Sequence, residues 1–187
     1  MQQTRRNRVT VGLMAVGLMA GTVFMAGPAQ AQTTANGPYY ATPSWDQTLP
    51  ASTRWIILSN FNSQAVLDRN TGLVWERSPD ETSQTWFDAR DTCINKNVGG
   101  QKGWRLPSIT ELTSLIDPAV GIPGPALQTN HPFTNVQSSF YWSATTSAED
   151  PTRAWDVFFR NGLVSPTGKI RASLVWCVRG GMNADAY

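Results

Sequence analysis

The spacing of apolar and polar positions changes several times along this chain, and each change marks an element. An apolar run from Val9 to about Ala26 follows a basic start at Arg5, Arg6 and Arg8 and leads to Ala29-Gln-Ala31. Basic, then apolar, then small residues is the order of an export leader, here 1–31, cleaved after Ala31. The same run approaches the ~18 residues of an uncleaved membrane anchor. Over 32–53 the apolar period stops and Thr, Ala, Pro, Gly and Ser dominate, which reads as a flexible lead-in. The domain is expected over 54–181, with a short tail over 182–187.

Inside that domain the pattern predicts a strand at Trp55 and its neighbours, then a β-hairpin in AVLDRNTGLVWE (65–76), whose Asp68 to Gly72 segment has turn chemistry. A helix follows, from a Thr82 or Ser83 cap to about Lys96. It carries Trp86, Ala89, Arg90 and Cys93 at i, i+3, i+4 and i+7. Trp104-Arg-Leu106 alternates as a strand would. Ser108 and Glu111 then form a capping box ahead of a second helix, with Ile109, Leu112, Leu115 and Ile116 as its buried face and Asp117-Pro118 as its stop. The stretch 118–139 is long, irregular and rich in proline, more in keeping with a packed lobe or a functional loop than an idle connection. Three strands are expected after it, Phe140 to Ala144, Arg153 to Arg160 and Leu174 to Arg179, with Asn161-Gly162 as a hairpin turn. In the last strand Val175 and Cys177 share one face, and Leu174, Trp176 and Val178 the other.

Composition adds two constraints. Three of the fifteen basic residues lie in the leader, so twelve remain against thirteen acidic ones, a net of about −1 once it is removed. Binding to nucleic acid through overall charge is therefore not expected. The 156 residues left of 187, with all eight Trp and six of the seven Phe, suit one exported domain with one sizeable core. Two cysteines in an oxidising compartment most simply make one disulfide, Cys93 to Cys177, the alternative being two free thiols. The bridge closes about 85 residues and contributes roughly 4 kcal/mol in the chain-entropy treatment, less any native strain.

Candidate chemistry is sparse. His131 is the single histidine and has no partner of metal-ligating or nucleophilic spacing, so it reads as an ordinary loop residue, and no metal or other cofactor is expected. Of the carboxylates that could serve as acid/base groups, Glu76, Glu111 and Asp156, Glu111 has its capping role and Glu76 is expected to pair with Arg77, Arg105 or Arg179, and no enzyme is expected. Arg153, Arg160, Lys169 and Arg171 cluster in the last third. Such groups fork onto sulfate or carboxylate oxygens; the plainer alternative is a solvated face balanced by Glu149 and Asp150.

Taken in order, VLDRNTGLVWE, TWFDARDTC, GWRLPSITELTSLID, YWSAT, AWDVFFRNG and VWCVRGG resemble the Lcl C-terminal domain family, named for the Legionella collagen-like adhesin, over about Trp55 to Gly181. The resemblance implies an α+β, C-type lectin-like fold: two helices packed on short, mostly antiparallel sheets beside a long irregular loop. In that fold a first-helix cysteine commonly pairs with one on the terminal strand. It further implies an exported, non-enzymatic binding module, periplasmic or extracellular, for acidic or sulfated polysaccharide in adhesion or at the cell envelope. Arg153, Arg160, Lys169 and Arg171 are the candidate ligand-binding residues. A protein-interaction or structural envelope module, partnered by an envelope protein, is the alternative. No collagen-like stalk is encoded, and calcium-mediated sugar binding is not expected. The long loop has no acidic residue between Asp117 and Glu149, and Trp155-Asp156 keeps only a fragment of the usual strand motif.

Overall fold

The computed structural model describes residues 49–180. The expected leader over 1–31, the lead-in as far as residue 48 and the tail over 182–187 lie outside the described residues. Helix α1 (Ala51–Arg54), β1 (Trp55–Ile57), β2 (Ala65–Asp68), β3 (Leu73–Glu76), β4 (Asp80–Gln84) and α2 (Trp86–Asn95) come first. Then follow α3 (Ile109–Thr113), β5 (Phe140–Thr146), β6 (Arg153–Phe158), β7 (Leu163–Gly168), β8 (Ser173–Val175) and β9 (Val178–Arg179). The strands form a four-stranded sheet, β1-β2-β3-β9, and a five-stranded sheet, β4-β8-β5-β6-β7. All pairings are antiparallel except β5 with β8, which meet in parallel at Tyr141 and Leu174. This is an α+β domain that is mostly sheet.

The β2–β3 turn is made as its residues predict. Asp68 Oδ1 accepts the Asn70 amide at 2.9 Å, and Gly72 takes a φ of +74° that an L side chain would resist. Asp68 is also the anchor of Arg54. Nε and Nη2 reach its two oxygens at 2.9 and 2.8 Å, Nη2 also meets the Ser114 carbonyl at 2.8 Å, and the guanidinium lies 4.0 Å from the Trp55 ring centroid. Both partners are buried, so the fork geometry is what offsets their desolvation.

Four expectations change in detail. The first long helix starts at Trp86, capped by Thr85, rather than after Thr82 or Ser83. Residues 80–84 instead pair with β8, Asp80 opposite Val175 and Gln84 opposite Ser173. The second helix has the capping box but runs only five residues. Beyond Thr113 the bonding tightens to i−3, with the Leu115 amide on the Leu112 carbonyl and the Ile116 amide on that of Thr113, and this still buries Leu112 and Leu115. Trp104-Arg-Leu106 contributes only a bridge between Arg105 and Val178. The last strand divides at Trp176-Cys177, where the Cys177 amide donates to Glu76 Oε2 at 2.9 Å instead of a ladder carbonyl.

The predicted facing of the last strand holds across the division. Leu174, Trp176 and Val178 enter one apolar core with Trp55, Val66, Trp75, Leu112, Tyr141 and Phe159. Val175 and Cys177 enter a second, with Trp86, Ala89, Cys93, Trp104 and Trp142. The Cys93–Cys177 disulfide is present, with Cα atoms 5.5 Å apart, and ties α2 to the end of the chain. The irregular stretch after α3 packs on the β6–β7 turn: the Ala126 amide reaches the Phe159 carbonyl at 2.6 Å, and a Cβ on Gly124 would stand 2.9 Å from the Arg160 carbonyl.

Candidate binding surface

Three of the four candidate cations lie at one end of the β6–β7 hairpin. Arg153 opens β6 opposite Gly168, the last residue of β7, and Lys169 and Arg171 follow in the turn toward β8. The turn is closed by the Arg171 amide on the Gly168 carbonyl at 2.8 Å and by the Lys169 amide on the Thr152 carbonyl at 2.9 Å. Arg160 sits in the turn at the other end, beyond the Phe158–Leu163 pair. Seven residues of extended chain put it roughly 20 Å from Arg153. The structure therefore brings together Arg153, Lys169 and Arg171 and leaves Arg160 apart.

The turn also meets the start of α2. The Trp86 amide donates to the Lys169 carbonyl at 3.0 Å, and Lys169 Nζ lies 4.1 Å from the Trp86 ring centroid while donating to Thr146 Oγ1 at 2.9 Å. One helical turn along, the Arg90 guanidinium stands 5.4 Å from the same ring. Trp86 is itself fixed by its indole N–H on the Ser143 carbonyl at 2.8 Å. Two cations thus share one anchored indole, an arrangement stabilised by the ring's quadrupole. Arg90 shares the helical stripe of Trp86, Ala89 and Cys93, which are buried. It is exposed, because its stem can follow the indole while its charge stays in water. Its i, i+4 spacing from Trp86 was the one sequence signal for its place here.

The charges differ in how far they are committed. Arg153 is 3.2 Å from Asp150 Oδ2, with both side chains about half exposed. Arg171 is exposed, and among the described residues its side chain meets no carboxylate. Ile170, between Lys169 and Arg171, is 86% exposed, the most open of the large apolar side chains among the described residues.

The carboxylates singled out in the sequence are engaged elsewhere. Glu111 accepts both Arg105 nitrogens at 2.8 and 2.7 Å and the Ser108 amide at 2.8 Å. Burial works to raise its pKa, but these bonds outweigh burial and hold it below the ordinary value. Glu76 pairs with Lys96 at 3.0 Å, not with Arg77, Arg105 or Arg179, and Lys96 also reaches Asp80 at 2.6 Å. Burial pushes the Glu76 pKa up against the pull of that lysine. The three line a cleft of about 530 Å³ together with Gln64, Ser78, Val98 and Thr134. Asp156 is buried and takes the Ser165 hydroxyl at 2.9 Å, and burial raises its pKa as well. His131 is partly buried beside Phe133, and burial lowers its pKa.

Fold and surface together define a small, disulfide-tied α+β domain that gathers cations around one tryptophan at the corner between its first long helix and its second sheet. The chain belongs to the Lcl C-terminal domain family, whose model matches residues 64–179. That span holds every element from the β2–β3 hairpin to the last strand. Comparison with curated proteins gives no match. No helix among the described residues is long and apolar enough to cross a membrane.

Proposed function

We propose that this domain is an exported, non-enzymatic binding module of C-type lectin-like architecture. It takes acidic or sulfated polysaccharide, in adhesion or at the cell envelope, at the corner formed by Arg153, Lys169, Arg171 and Arg90. The observation that carries this reading is the convergence of Lys169 and Arg90 on Trp86, with the uncommitted Arg171 on the adjoining turn. A cation resting against an indole is pre-positioned and keeps N–H donors turned outward, and guanidinium forks suit sulfate and carboxylate oxygens. Arg160 stands apart and joins the site only for a polymer long enough to run the length of the hairpin. The leader pattern and the disulfide support export. The structural engagement of Glu76 and Glu111 supports a binding role over a catalytic one. The lectin-like architecture is supported by the order hairpin, long helix, short capped helix and closing strands, and by the disulfide from the first long helix to the end of the chain.

The test is retention on immobilised heparin. Binding at low salt should be released as salt rises, since it rests on counterion exchange and screened charge. R90E with R171E should lower affinity at least ~10-fold, whereas R160E alone should change it less than ~2-fold on a short oligosaccharide. Absence of retention at low salt, or retention undiminished when Arg153, Arg160, Lys169 and Arg171 are all replaced, overturns the assignment. A second reading is a protein-interaction or structural envelope module, in which Ile170, 86% open on the turn between Lys169 and Arg171, would be an apolar contact. A blank glycan array together with recovery of one defined envelope protein would select it.

A further inference from the structure

We propose that the outward face of α2 is a two-fold interface through which two copies of this chain pair, helix against antiparallel helix. Trp86, Ala89 and Cys93 occupy the inner face of α2 and are buried. The outer stripe is Phe87, Arg90, Asp91 and Ile94, at i, i+3, i+4 and i+7, all exposed, with Phe87 at 53% and Ile94 at 55%.

That stripe is a palindrome in chemistry. A second α2 laid antiparallel, with the two-fold axis through the bond between residues 90 and 91, sets Phe87 against the partner's Ile94 and Arg90 against the partner's Asp91, so pairing withdraws Arg90 from the anion-binding corner, which then keeps Arg153, Lys169 and Arg171. The reciprocal contacts follow by symmetry. An isologous interface demands this self-complementarity, because each patch must meet its own copy. A lone charge near the axis would face itself and be repelled, whereas adjacent charges of opposite sign do not. Within one helix Arg90 and Asp91 project about 100° apart and do not face each other. Among the described residues neither makes an ion pair. Asp88 and Asn95, both exposed, flank the stripe as a polar rim.

The size of the element sets the strength. Ten residues make a helix about 15 Å long, so the pairing buries less than the ~1,200 Å² at the lower end of stable interfaces. The dimer is therefore weak and appears with concentration.

Sedimentation velocity on the exported chain with its disulfide intact, over roughly 10 µM to 1 mM, tests this. The weight-average sedimentation coefficient should rise across that range toward the dimer value. F87E and I94E should each hold the protein at the monomer value; I94E should leave the melting temperature unchanged, whereas F87E also removes the edge contact of Phe87 with the Trp86 ring. R90E and D91K should each lower the association constant at least ~10-fold, and the double variant R90E/D91K should recover it to within about 2-fold. The recovery separates pairing across the two-fold from any loss of fold. A monomer at every concentration, self-association indifferent to F87E and I94E, or a double reversal no stronger than the single ones overturns the proposal.

Discussion

Glu111 does two jobs with one carboxylate. It closes the capping box on the Ser108 amide and forks onto Arg105, whose backbone bridges Val178 of the closing strand. Because those bonds favour the charged form, the folded pKa lies below the ordinary 4.5. The sign follows: the group adds stability that is fully present above the unfolded pKa and is lost as pH falls through the folded one. The chain should lose stability between neutral pH and acid below 4.5, and E111Q should flatten that part of the pH profile, as read from urea midpoints. Burial raises the pKa of Glu76, which gives the opposite slope, so a profile that E111Q leaves unchanged would reject the assignment. S108A removes the other half of the box and should cost about 1 kcal/mol at pH 7. Lys96 titrates at the other extreme. Burial opposes its charge, but Glu76 and Asp80 more than compensate and its pKa is raised. Its contribution is present below 10.5 and lost as pH rises through the folded value, so K96M should remove an alkaline loss of stability that the parent chain shows.

At the scale of elements, close backbone approach decides where substitution is tolerated. Gly99 has a φ of +62° and lies against the carbonyl of Phe61 so closely that a Cβ would fall onto it. G99A should cost at least about 2 kcal/mol in a denaturant titration, since both the left-handed backbone and the contact resist it. Exposed Gly100, with a φ of +82° but open space around it, should lose only the conformational part. The elements that were legible in the sequence are those with a strong local signal. They are the Asp68–Gly72 turn, the Ser108–Glu111 box, the Asn161-Gly162 hairpin and the alternation of residues 174–178. Strand β4 was not legible, because DETSQ has no apolar alternation and is held by pairing with a distant strand. The length of α3 was hidden for another reason, since a switch from i−4 to i−3 bonding keeps the same residues buried. The corner follows the same division. The cations could be counted in the chain, but hairpin length separates Arg160 from the rest, and a tertiary contact brings Arg90 and Lys169 to one ring.

At the scale of the whole molecule, the two apolar cores are not independent, because the segment 174–178 sends alternate side chains into each. Trp176 packs among Trp75, Phe133, Tyr141 and Phe159 in one, while its neighbour Cys177 carries the disulfide into the other. Glu76 fastens the junction. Its own carbonyl takes the Trp176 indole N–H at 2.9 Å, and its carboxylate takes the Cys177 amide at 2.9 Å. Melting one core while keeping the other would leave half of that strand's side chains without neighbours and its buried polar groups unpaired, which costs more than unfolding both. Unfolding should therefore be a single transition, with tryptophan fluorescence and far-ultraviolet circular dichroism giving coincident curves in urea. Breaking the disulfide frees an 84-residue separation in the unfolded chain, a loss of roughly 4 kcal/mol and about 10 °C in Tm. If the cores are coupled as described, C93A/C177A shifts both probes together. Two separated transitions, in the parent chain or in the variant, would mean that the strand does not join them.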